Sequence, residues 1–235
     1  MKNRVVLLLH GFMIHDRHDI RFFKSYVDKH EFEDTDFELV YIYDRTITKS
    51  SSPKVMEKKI IELVKEYQTK YEDVILAGYS FSCGLAAKVS HVLKLKKVIY
   101  FAPAVRLLKS GLLKVHAKNA FKTLKLKMKH GNKKANKIME RTKIKGVVPL
   151  SIHICFSMMR NRKYYKSDIP FILYRGQSDT YSLSDDVNYI CKKSTANNFK
   201  YVTGVGRLWD HFFIYNEELM ENEIVNHLRY FIEVK

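Results

Sequence analysis

Hydrophobic positions come first as a continuous run, V-V-L-L-L at residues 5–9, following the polar residues 2–4. A short run that is apolar at every position, without alternation, marks a strand covered on both faces in a parallel sheet. His10-Gly11-Phe12 ends it. Ile20, Phe23 and Val27 then recur at helical intervals and predict a helix over 19–30, followed by a second strand over 37–43. Ser50, Ser51 and Ser52 offer N-caps, Pro53 suits a first helical turn, and Val55, Ile60, Leu63, Val64 and Tyr67 form a helical stripe. Residues 73–77 predict a third strand, a helix follows to about Leu93, and residues 97–101 predict a fourth strand. After Pro170 the alternation resumes: a strand at 171–174, a helix at 185–193, a last strand at 199–203, and a closing helix over 217–234 with Leu219, Ile224, Leu228, Phe231 and Ile232 apolar.

The junction between the third strand and its helix reads V-I-L-A-G-Y-S-F-S-C-G over residues 74–84. Turning from strand to helix in so few residues forces strained backbone angles, of order 1–3 kcal/mol. It also leaves no room for large side chains two positions either side of Ser80, where Gly78 and Ser82 stand. The turn lifts the Ser80 hydroxyl above the sheet and aims the next helix's N-terminus at it, so backbone N–H groups face any oxyanion formed there. This stretch resembles the nucleophile elbow of the α/β-hydrolase superfamily, with Ser82 where that motif prefers glycine.

Six strands alternating with helices predict an α/β fold, a mainly parallel doubly wound sheet. Residues 104–166 interrupt it after the fourth strand. The resemblance implies that this is an inserted helical cap or lid on a core made of residues 1–103 and 167–235, and that the core lacks the superfamily's first two strands. Within the insert, Val105, Leu108, Leu112 and Val115, then Phe121, Leu124 and Met128, are spaced by three to four among lysines. Gly131-Asn132 breaks the pattern, and the apolar stretch 147–159 receives no assignment.

Composition changes this picture in one place. With 235 residues, 46% of them apolar, the chain can bury a core as one domain, and no run approaches the ~18 apolar residues of a membrane span. The run at 5–9 passes straight into His10-Gly11 with no small-residue cleavage site, so it reads as a strand and not a signal peptide. Cys83, Cys155 and Cys191 are too few and too scattered for a disulfide framework or a zinc site, which points to reduced thiols and a cytoplasmic location. Cys83, beside the elbow, reads as a small buried hydrophobe. The charge of +17 is concentrated: residues 104–166 hold 18 Lys and Arg against the single acid Glu140, leaving 24 basic and 24 acidic residues elsewhere. The apolar side of that segment either covers a cleft, with lysines as its solvated face, or the segment lies peripherally on an anionic membrane or grips an acidic protein. No nucleic-acid module is present and few aromatics interleave the lysines, so a nucleic-acid partner is not expected.

A serine hydroxyl needs a base, and the base needs a partner that sets its tautomer. The superfamily supplies them in the order serine, acid, histidine from loops at one sheet edge. The resemblance therefore implies a triad of Ser80, Asp179 in R-G-Q-S-D after the fifth strand, and His211 after the last strand. On the residues alone, Asp179 reads equally as a turn residue between Ser178 and Thr180, Asp185 and Asp186 are other candidate acids, and His211 could be a surface or core histidine. Asp210 is a poor orienter, because sequence neighbours point apart. The oxyanion donors implied are the N–H groups of Phe81 and Phe12, with Met13 the near alternative to Phe12. His10 reads as loop structure, and His15, Asp16 and His18 lack a further well-spaced ligand for a metal. No G-x-G-x-x-G follows a strand and no P-loop is present, so no cofactor is expected. The implied function is a serine hydrolase cleaving a small-molecule carboxylic ester or thioester through an acyl-enzyme. The alternatives are an acyltransferase using the same triad, or a binding protein working through the basic segment with secondary or no catalysis.

Overall fold

The computed structural model describes residues 2–11, 24–25, 27–29, 32–42, 53–105, 124–132, 134–135 and 160–233. Strands β1 (Arg4–Leu9), β2 (Thr35–Val40), β3 (Asp73–Tyr79), β4 (Val98–Phe101), β5 (Phe171–Gly176) and β6 (Phe199–Gly204) form one sheet in the order β2-β1-β3-β4-β5-β6. Every neighbouring pair is parallel.

The unbroken apolar runs have a direct cause: alternate residues face two separate cores. Val5, Leu7, Leu9, Leu76 and Leu173 pack with α1 (Pro53–Gln68), α2 (Ser82–Leu93) and α3 (Ser184–Lys193). Val6, Leu8, Ile75, Ile99 and Ile172 pack on the other face with Val27, Trp209 and the closing helical segment. That segment runs through Glu217–Leu219, a π turn over Met220–Ile224 and α4 (Val225–Glu233), with Leu219, Ile224, Leu228 and Ile232 buried as their spacing predicts. Each fully buried side chain of this size contributes about 1.5–3 kcal/mol.

Three expectations differ. β2 ends at Val40 rather than at residue 43, because the Ile42 N–H donates to His10 Nε2 at 3.0 Å, and an imidazole stands where the ladder would have continued. Val55 is exposed, and the buried stripe of α1 runs instead through Met56, Ile60 and Val64. Within the basic segment, helix 124–132 carries Leu124 and Met128 outward, 56% and 81% exposed, so these two members of the apolar pattern cover no cleft. Where the break was predicted, Gly131 has a left-handed φ of 72°, with helical residues described on both sides of it, to Asn132 and again at 134–135. The expected helix over 19–30 is described at 24–25 and 27–29, while the apolar stretch 147–159 lies outside the described residues. Among the described residues no helix is long and apolar enough to cross a membrane.

Candidate active site

Ser80 follows β3 directly at φ 60°, a left-handed conformation rare for a residue with a side chain and one the strand-to-helix turn demands. Backbone bonds hold it there: its N–H donates to Phe101 O at 2.8 Å, and its carbonyl accepts from Cys83 N–H and Ala104 N–H, each at 3.3 Å. A Cβ on Gly78 would stand 2.5 Å from Cys83 Cα, which is why glycine occupies that position. Ser82 is fully buried, and its hydroxyl accepts from Tyr79 N–H at 2.8 Å. The single Ser82 proton has two carbonyls within reach, Leu9 O at 2.8 Å and Tyr79 O at 2.9 Å. A serine where glycine is usual is thus a satisfied buried polar group that pins the elbow to β1, and its residue type alone signalled only small size.

The acid and the histidine arrive from the ends of β5 and β6. Both strands end in a glycine because the histidine loop crosses them closely: a Cβ on Gly176 would overlap the Trp209 carbonyl, and one on Gly204 would overlap the Trp209 indole. Trp209 is buried against Phe213, ring centroids 4.9 Å apart, and its carbonyl accepts from Ser178 N–H at 3.1 Å. Two residues on, His211 faces Asp179. The Asp179 carboxylate accepts from Tyr181 N–H at 2.7 Å and Ser182 N–H at 2.8 Å through Oδ1, and from His211 Nδ1 at 3.0 Å (Oδ1) and 2.9 Å (Oδ2). The turn geometry and the contact with His211 are therefore properties of one carboxylate. Arg175 closes this turn from below, its Nε donating to Ser182 O at 2.6 Å.

His211 Nε2 lies 3.0 Å from Ser80 Oγ. With the proton on Nδ1 donated to Asp179, the Nε2 lone pair accepts the serine hydroxyl. Ser80 and His211 each keep 8% exposure and Asp179 3%, so the hydroxyl and the imidazole remain reachable while the carboxylate is sealed. The imidazole is bordered by Tyr181 (4.9 Å), Tyr79 (5.5 Å, stacked) and Phe212 (5.5 Å, edge-on).

The remaining candidates fall elsewhere. Asp186 accepts from Leu183 N–H at 3.3 Å at the start of α3, and Asp210 accepts from Phe212 N–H at 2.7 Å. Asp185 stands exposed in the first turn of the same helix. His10 is buried, with Nδ1 donating to Gly11 O at 2.7 Å, and burial lowers its pKa to about 4, so it is neutral loop structure. Cys83 is buried with its thiol 3.1 Å from Gly78 O, and burial pushes its pKa well up, the opposite of a reactive thiolate. Phe81 sits at the N-cap of α2, immediately after Ser80. Phe12, Met13, His15, Asp16 and His18 lie outside the described residues. Among the described residues no group of three or more His, Cys, Asp or Glu is placed to hold a metal. Sequence reading missed Tyr79, whose hydroxyl donates to His211 O at 2.7 Å; an aromatic next to the serine carries no signal of a contact 132 residues away.

No protein-family model and no curated protein sequence matches the chain. Solved structures do match over nearly its whole length. It is similar to Est1E from Butyrivibrio proteoclasticus, with 14% identity over 99% of this chain and 90% of that one, at a TM-score of 0.61. The thioesterase RedJ from the prodiginine biosynthetic pathway of Streptomyces coelicolor matches at 14% identity, 97% of this chain, 89% of that one and a TM-score of 0.61. A bromoperoxidase from Bacillus anthracis matches at 15% identity, 99% of this chain, 93% of that one and a TM-score of 0.62. The sheet order, the elbow and these neighbours give the chain the α/β-hydrolase fold.

Proposed function

We propose that the protein is a serine hydrolase that cleaves a carboxylic ester or thioester through an acyl-enzyme. The observation that carries this reading is the relay Ser80 Oγ to His211 Nε2 (3.0 Å) and His211 Nδ1 to Asp179 Oδ2 (2.9 Å), assembled from three loops at the carboxyl edge of one parallel sheet. Ser80 attacks the acyl carbonyl as its proton passes to His211. Asp179 orients the imidazole and offsets its charge. The oxyanion takes donors from Phe81 N–H at the start of α2 and from Phe12 N–H. The imidazolium then protonates the leaving alcohol or thiol, and water activated by the same histidine releases the acid. Structural neighbours that are an esterase, a thioesterase and lipolytic enzymes support this chemistry class. Residues 104–166 are read as a unit inserted into the hydrolase core, and the free thiols Cys83 and Cys191 fit a reducing cytoplasm.

A fluorophosphonate probe is expected to label the wild-type protein and to leave Ser80→Ala unlabelled. Folded wild type that resists the probe would refute the hydrolase reading. Turnover of p-nitrophenyl esters of increasing chain length, beside acyl thioesters, identifies the leaving group. An acyltransferase would instead show faster release of the leaving group when an alcohol or amine acceptor is added.

A further inference from the structure

Within the basic segment residues 124–132 are helical, and their side chains are arranged unusually. At about 100° per residue, Leu124 and Met128 share one line along the helix. They are 56% and 81% exposed, while Leu126 and His130, on the opposite side, are half-buried. The apolar line therefore points away from the protein. Lys125 and Lys129 flank it on one side and Lys127 on the other, and all three are exposed. Within residues 104–166 there are 18 basic residues and one acid, so nothing in the segment's own composition neutralises them.

We propose that this helix docks the protein on an anionic lipid bilayer, with Leu124 and Met128 inserted at the headgroup boundary and the lysines level with the headgroups. The inference is independent of the chemistry at Ser80. Exposed apolar side chains with lysines on both flanks suit a flat interface, since headgroups lie level on both flanks and the lysine stems pack along the acyl boundary while their ammonium groups reach phosphate. A helix held in a protein groove presents anchors at i, i+3, i+4 and i+7 over two turns. Among the described residues the outward line is a single i, i+4 pair, which offers a groove little to grip.

The test is co-sedimentation of the full chain with vesicles of phosphatidylcholine alone and with about one-third phosphatidylglycerol. Binding is expected with the anionic vesicles and not the neutral ones, and 1 M salt is expected to release it, because screening shortens from ~10 Å at 0.1 M to ~3 Å. Lys125→Gln with Lys127→Gln and Lys129→Gln should lower partitioning about fivefold per lysine, on the order of a hundredfold together. Leu124→Ser with Met128→Ser should lower it at least tenfold. Thermal unfolding of each variant is compared with wild type, and Met128→Trp gives a readout that needs no loss of function: its emission should shift blue on anionic vesicles. Binding that ignores lipid charge, variants that partition like wild type, an emission from Met128→Trp that stays unshifted while the protein pellets, or capture by polyglutamate without capture by vesicles would each overturn the proposal. A protein that fails the fluorophosphonate test yet passes this one is a lipid-surface binder, so the two readings fall separately.

Discussion

Tyr79 adjoins Ser80 in sequence and meets His211 in space. Its hydroxyl donates to His211 O at 2.7 Å and its ring stacks on the imidazole at 5.5 Å. The same ring closes over Gly11, where a Cβ would stand 2.7 Å from Tyr79 Cδ1. One buried side chain therefore ties the elbow to the loop after β1 and to the histidine loop, and holds the Ser80–His211 separation by a route other than their own hydrogen bond. Tyr79→Phe keeps the ring and removes the tether. We expect kcat to fall about tenfold with KM within twofold, since small misplacements of reacting groups are expensive, and the melting point to drop by only a few degrees for a lost hydrogen bond of about 1 kcal/mol. An unchanged kcat, or a loss matched by the unfolded fraction, would show that the contact is structural alone. Ser80, Asp179 and His211 were legible as candidates because each stands at a strand end in a recognisable order. Tyr79 and the second role of Ser82 were not, because what they bond to is set by how distant loops cross.

At the scale of elements, strands read most clearly because two-sided burial leaves no polar position between Val5 and Leu9 or between Val74 and Ala77. Their ends were less legible. β2 stops where the His10 imidazole takes the next N–H, and β5 and β6 stop where the histidine loop crosses over glycine. The second of those crossings gives a prediction. A Cβ on Gly204 would occupy the space of the Trp209 ring, so Gly204→Ala must push that ring, and with it His211, out of place. Overpacking of this kind costs about 1–3 kcal/mol, and for a chain of this length that is a melting point lower by several degrees, with fluorophosphonate labelling of Ser80 falling further than the loss of folded protein accounts for. Calorimetry beside probe-labelling rates checks both. Helix 124–132 teaches the converse lesson: its three-to-four spacing marked a helix correctly but could not say which side faces the protein.

Across the whole molecule, burial of ionisable groups sets the response to acid. His10 is neutral in the fold, its pKa lowered from 6.5 to about 4 by burial. The unfolded chain binds a proton there that the folded chain refuses, so this contribution is fully present above pH 6.5 and is lost as pH falls towards 4, by roughly 3 kcal/mol. Urea unfolding at pH 7 and pH 4.5 should show that loss, and His10→Gln should flatten it; an equally steep acid response in the variant would assign the effect to other groups. A buried carboxylate works between elements: Glu57 on α1 pairs with Lys88 on α2 at 2.5 Å and with Arg160, tying the far end of the basic segment to the core. Such a contact was invisible in the sequence, where the three residues are spread over a hundred positions.

By itself, the sequence determined the alternation of strands and helices, the strained turn at Ser80, the order of acid and histidine after it, and the concentration of charge between residues 104 and 166. These follow from local rules: periodicity, turn chemistry and composition act on neighbouring residues. Tertiary structure alone decided that Asp179 rather than Asp186 faces His211, that Tyr79 bridges two loops, that Gly176 and Gly204 are crossed by Trp209, and that Leu124 and Met128 point outward. Each of those depends on which surfaces meet once the sheet is formed, and that is a property of contacts between segments far apart in the chain.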